Sequence, residues 1–288
     1  MRDELRLVVD ACSSYSSWRL SERGVAVRRA RKSLKRFRAA LDLARLGIEP
    51  ADHEALRVPA RDLGRRLSPL RDRDVVHDLL QRLEKEASTS RRREAVRLAG
   101  ILLAASRPEI MLRDHRNEET IVAEVGEEAG LLVDRVEATR LEGVDRSVVL
   151  DRIERMWARA RSRFHDAVAK DDTEWIHESR KRVIRLQLGL QPLVTIEESE
   201  MPRLVKRLRK CADAFGDDHD LAILRDLVEE HAEQAGDREV VRRVQAEIDQ
   251  RRSVLQQDGR RRGVEALRPS PGDARRQMKR WWDGIALR

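Results

Sequence analysis

The chain has 288 residues, enough to bury one large core or two smaller ones. Charged residues make up 39% and aromatics 3%, and Asn-Gly turns and alternating β-branched runs are missing, which argues against a β fold. The net charge of +8 suits an acidic partner, but 60 Lys and Arg face 52 Asp and Glu, so the distribution of charge matters more than its sum.

The opening stretch, MRDELRLVVDAC, lacks the apolar core of a signal peptide. The longest apolar run, ILLAA, is far too short to span a bilayer. The expectation is a cytoplasmic protein with no membrane partner. Cys12 and Cys211 have no CxxC spacing, so they read as small apolar residues in a reducing compartment.

The first strong helical signal is Val27, Ala30, Leu34, Phe37, Leu41 and Ala44, one apolar stripe at spacings of three and four. Similar windows follow at roughly 70–86, 93–105, 148–169, 173–191, 201–214, 219–235 and 238–257, with Pro108, Pro192 and Pro202 as punctuation. Residues 114–145 carry ten acids against Arg116, Arg135 and Arg140; they read as a helix or two connecting two halves. Pro269 and the SPG at 270–272 precede a short segment in which Trp281 and Trp282 are expected to pack. The reading is therefore all-α: an N-terminal segment (1–21), a helical domain (22–265) and a C-terminal segment (266–288). Within the domain, the first half is about 22–113, the connection about 114–146 and the second half about 147–265.

The halves resemble each other. Slid back 149 positions, Arg180, Lys181 and Arg185 fall on Arg31, Lys32 and Arg36, and Val183, Leu186 and Leu190 fall on Leu34, Phe37 and Leu41. At an offset of 148, FGDDHDLAIL (215–224) falls on LSPLRDRDVV (67–76). Both read as helix–break–helix junctions. Ser68 is expected as an N-cap before Pro69, and Gly216 as a helix end before Asp217. Asp72 and Asp220 are then first-turn acids. Two such repeats predict two similar helical bundles related by a pseudo-twofold axis.

The cations cluster beside the apolar stripes rather than opposite them. Residues 27–41, VRRARKSLKRFRAAL, hold seven cations and no acid. Arg28, Arg31, Lys35 and Arg38 follow the stripe one residue later, and Lys32 and Arg36 lie further round. Like charges one turn apart cost about 0.2–0.5 kcal/mol per pair in an isolated helix. Neighbouring acids or a bound polyanion must offset that repulsion. His177, Arg180, Lys181 and Arg185 form a second cluster. Lys206, Arg207 and Lys210 form a third, and Arg65, Arg66 and Arg71 a fourth.

These stretches resemble the CHAD family, the conserved histidine α-helical domain. Its motif, approximately His-x-x-Arg-[Val/Lys]-x-x-[Arg/Lys]-Arg-Leu-Arg, is matched once in each half. HESRKRVIRLQ supplies His177, Arg180, Lys181, Arg185 and Leu186, with Ile184 and Gln187 where the family has cations. RRARKSLKRFR supplies Arg31, Lys35, Arg36, Phe37 and Arg38, with Arg28 at the histidine position. Arg71, Asp72 and Asp74 match a second family element in which Ser68 replaces a Gly, and Gly216 and Asp220 match its later counterpart. The resemblance spans roughly residues 22–265. It implies a pair of four-helix bundles around a basic channel, binding inorganic polyphosphate without catalysis. It also implies association with polyphosphate granules and their proteins.

On this reading the sixteen cluster residues contact successive phosphates, no cofactor or metal is needed, and His177 donates more strongly as pH falls. Non-specific nucleic-acid binding ranks second, because Phe37 is the one ring in the basic segments and stacking platforms are missing. A metal-dependent phosphohydrolase ranks third; its His-Asp dipeptides at 77–78, 165–166 and 219–220 sit in different helices. A pure scaffold that binds no polyanion is the remaining alternative.

Overall fold

The computed structural model describes residues 1–19, 22–87, 89–106, 115–140, 145–170, 172–195, 200–235 and 238–286. Among these residues eleven α-helices and short 3-10 turns account for nearly everything, and no strand occurs. The helices are α1 (Arg2–Ser13), α2 (Arg23–Leu43), α3 (Pro50–Arg66), α4 (Ser68–Glu86), α5 (Ser90–Ser106) and α6 (His115–Ala138). They continue with α7 (Arg146–Lys170), α8 (Thr173–Leu190), α9 (Met201–Ala235), α10 (Arg238–Ala266) and α11 (Pro271–Ala286). None is long and apolar enough to cross a membrane.

Local chemistry explains several helix starts. Asp172 caps α8 by accepting from the backbone N–H of Glu174 and Trp175. Pro50 opens α3, Pro202 lies in the first turn of α9 and Pro271 opens α11, positions where a missing N–H is harmless. Pro108 lies outside the described residues.

The buried apolar residues divide into three clusters rather than two. In the first, Leu5 and Val8 of α1, Leu34 and Phe37 of α2, Leu56 and Leu63 of α3, and Val125 and Leu132 of α6 pack together. Helices α1 and α6 thus belong to this core, although the sequence sets them apart as a terminal segment and a connection. The second cluster joins α7, α8, the first half of α9, the end of α10 and α11, around Trp157, Phe164, Leu186 and Phe215. Trp281 and Trp282 pack at its edge, partly buried. The third draws on both halves of the chain. Leu79 and Leu83 of α4 and Val96 and Leu103 of α5 meet Leu224 and Val228 of α9 and Val244 and Ile248 of α10.

The two junctions fold differently. Near Leu67 the chain turns from α3 into α4. Ser68 is not the N-cap: that place is Leu67, and the Ser68 hydroxyl donates to the Gly64 carbonyl at 3.1 Å. At the second junction no helix ends. Helix α9 runs unbroken through Gly216 and Asp217, so Asp220 lies mid-helix rather than in a first turn. The side chains of Asp72 and Asp74 lie outside the described residues. Cys12 and Cys211 are both free and buried, and burial pushes each thiol up to about 12.

Candidate polyanion cleft

Helix α2 packs directly against α8, and both contact α4 or α9. The two helices with the repeated cation rows are therefore neighbours in space, although 149 positions separate their matching residues. Their amphipathic stripes cause this. Phe37 and Leu34 point into the first core, and Val183 and Leu186 into the second. The cations flanking each stripe are left facing one another across the seam.

A cleft of about 500 Å³ opens along this seam, lined by Lys35, Arg38, Asp42, Glu178, Arg180, Lys181, Arg182, Arg185 and the apolar Ala39, Ile184 and Leu188. Its two acids are already engaged. Glu178 accepts from Lys181 at 2.6 Å. Asp42 pairs with Arg185, and lies 3.8 Å from Arg152. Arg152 is buried, and its Nε donates to the main-chain oxygen of Asp42 at 2.9 Å. Lys35, Arg38 and Arg182 form no ion pair with any described residue. Lining a concave wall with uncompensated cations is unfavourable without a counter-charge.

Behind the cleft lies a layer of held arginines. Arg31 donates to the Gly64 carbonyl at 2.9 Å and to the Ser68 hydroxyl at 2.5 Å. Its counterpart Arg180 lies flat against Gly216. A Cβ there would sit 3.1 Å from Nε and from one terminal nitrogen, and 3.3 Å from the guanidinium carbon. Thus Gly216 serves as a landing place for a guanidinium, not as a helix terminator. Arg71 crosses from α4 to α9 and pairs with Asp220 at 3.1 Å. Lys35 stands one turn along α2 from Arg31. It is exposed on the cleft wall. Desolvation lowers it to about 8, and Arg31, Arg180 and Arg71 act in the same direction against Asp220. Desolvation likewise raises the carboxyls of Asp217 and Asp213, the latter keeping more exposed surface.

His177 and His219 stack with ring centroids 4.0 Å apart. Desolvation first, then His219, Lys181 and Arg180, lower His177 to about 4. The ring is therefore neutral through the ordinary pH range. The expectation that it donates more strongly at mildly lower pH does not survive this environment.

The other expected site residues are dispersed. Arg28 is exposed and pairs with Asp78 at 3.1 Å, and Arg36 lies 3.7 Å from Glu4 of α1. Arg65 pairs with Asp62 at 3.5 Å, and Arg66 is held between Glu124 and Glu128. Arg71 contributes through Asp220. Lys32 borders the layer through its attraction to Asp213. Lys206, Arg207 and Lys210 are exposed on α9, outside the residues lining the cleft, and pair with no described residue. Arg182 belongs to the second basic cluster in the sequence, and Asp42 borders the first basic stretch, but neither is among the expected contact residues. Arg182 carried a signal, one turn before Arg185 on the same row; Asp42 carried one as the lone acid late in a basic helix. Among the described residues no group of three or more His, Cys, Asp or Glu is placed to hold a metal.

Compared with known proteins, residues 6–229 match the family model described as CHAD domain. No curated protein and no solved structure matches the chain.

Proposed function

We propose, for a chain that belongs to the CHAD domain family, that the α2–α8 cleft binds inorganic polyphosphate and that the protein acts by binding rather than by catalysis. The observation that carries this reading is the row of cations without ion-pair partners, Lys35 and Arg38 on one wall and Arg182 on the other, beside acids already engaged by Lys181, Arg185 and Arg152. Polyphosphate carries about one negative charge per unit and offers no base to read. A groove that supplies charge and no aromatic platform suits it better than a single-stranded nucleic acid. Guanidiniums can fork onto successive phosphates. Binding would release counterions and weaken steeply with salt. Association with polyphosphate granules in the cytoplasm, and with proteins there, follows as part of the same proposal.

The test is titration with long-chain polyphosphate at two salt concentrations, with duplex DNA as competitor. The variant is Arg38→Glu/Arg182→Glu, which reverses charge on both walls and spares the packed Arg31 and Arg180. Salt-sensitive binding that the variant largely loses is the expected result. Equal binding by the variant would overturn the site, and no binding by the wild type would overturn the function. Equally strong competition by DNA would favour non-specific phosphate binding instead.

A further inference from the structure

Lys35 occupies an unusual place in this cleft. Four helices meet behind it: α2 packs on α4 and α8, and α9 packs on both of those. Lys35 shares the cleft with Arg38 and Asp42 of its own helix and with Glu178, Arg180, Lys181, Arg182 and Arg185 of α8; Arg31, Arg180 and Arg71 of α4 act against its charge and Asp220 of α9 in favour of it. Cations therefore outnumber acids around this ammonium. Each acid is already engaged, Asp220 by Arg71 at 3.1 Å, Glu178 by Lys181 and Asp42 by Arg185. Arg31 is fixed by Gly64 and Ser68, and Arg180 is seated on Gly216, so neither can swing away without breaking those contacts. An arginine cannot shed its proton in this range, but a lysine can. The cleft's other lysine, Lys181, is already paired with Glu178, so Lys35 is the group in the cluster that can relieve the repulsion by becoming neutral.

A polyanion in the cleft reverses the local field. Each phosphate unit brings about one negative charge beside the same amine, which favours the charged form. We propose that Lys35 couples occupancy of the cleft to a proton: the polyanion binds with uptake of a proton from solvent by the Lys35 amine, so the site releases its ligand as pH rises. This inference rests on the polyanion reading above. The balance is simple, a neutral amine and a solvent proton giving an ammonium, with no bond made or broken elsewhere. The empty site's lysine value of about 8 agrees with this geometry and places the effect between about pH 7 and pH 9. His177 and His219 are both shifted downward and stay neutral through that window.

The experiment is calorimetric titration of the full chain with long-chain polyphosphate at constant ionic strength. It is run from pH 7 to pH 9 in buffers of different ionisation enthalpy, which yields protons taken up per site. For the wild type, affinity should fall about tenfold over that range, with uptake rising toward one proton. Lys35→Arg keeps the charge but cannot release it, so it should bind with little pH dependence and no Lys35-linked uptake. Lys35→Gln should bind more weakly at pH 7 and also lose the pH dependence. Lys35 is solvent-exposed, so both variants should fold, which thermal unfolding checks. Wild-type binding with pH-independent affinity and no uptake would overturn this inference and leave the polyanion reading standing. So would an unchanged pH profile in Lys35→Arg. Failure of the wild type to bind at pH 7 would overturn the polyanion reading, and this inference with it.

Discussion

Replacing Gly216 with alanine separates the needs of helix α9 from those of the cleft. A mid-helix glycine costs about 1 kcal/mol relative to alanine, so the substitution favours the helix by that amount. The new Cβ, however, would lie 3.1 Å from two nitrogens of Arg180 and 3.3 Å from its guanidinium carbon. That is a few tenths of an ångström inside a comfortable contact, and the guanidinium must retreat. The strain of that retreat offsets part of the helical gain. The net change in stability is expected to stay below about 1 kcal/mol, a shift in Tm of about 2 °C or less for a chain of this size. Binding should respond differently. A hydrogen bond to a charged group contributes about 1.5–3 kcal/mol. Misaligning it by a fraction of its length should forfeit about 1 kcal/mol, a loss of about fivefold in affinity. Thermal unfolding and polyphosphate titration at one fixed salt concentration read the two effects separately. Unchanged affinity would show that Arg180 does not reach the ligand. A fall in Tm of several degrees would show that Arg180 cannot yield and that Gly216 is needed for packing.

Asp42→Ala should destabilise the fold by about 3 kcal/mol, because it strips the carboxylate from buried Arg152 while leaving the Nε bond to the main chain; urea unfolding would expose the error if the loss were under about 1 kcal/mol. His177 predicts acid sensitivity. Its folded value of about 4 lies below the ordinary 6.5, so between those values the unfolded chain binds more protons, and stability present above pH 6.5 drains away as pH falls toward 4. His177→Gln should lose less thermal stability than the wild type between pH 7 and pH 4.5, and equal acid sensitivity would count against the half-buried neutral ring.

Much of the fold is legible because helical periodicity is local. The stripe from Val27 to Leu41 and the windows for α4, α5, α7 and α8 need only side chains three and four positions apart. Helices α1 and α3 carry the same signal, in Leu5, Val8 and Cys12 and in His53, Leu56, Ala60 and Leu63, but dense charge between these residues obscures it. The junction at Gly216 misled for a physical reason. Glycine commonly follows a helix end, but it also appears where another group must come close to the backbone. Only the neighbour, Arg180 on α8, distinguishes the two.

The sequence by itself determined the helical class, the family and the two rows of cations beside apolar stripes, since each is written in residues close along the chain. The tertiary structure decided which rows meet. It brought α2 against α8, built a third core from α4, α5, α9 and α10, and paired Arg66 and Arg185 with acids on other helices. A charge counts toward a site only after its counter-ions have been subtracted. Those counter-ions are set by distances across the packed molecule, which no local pattern encodes.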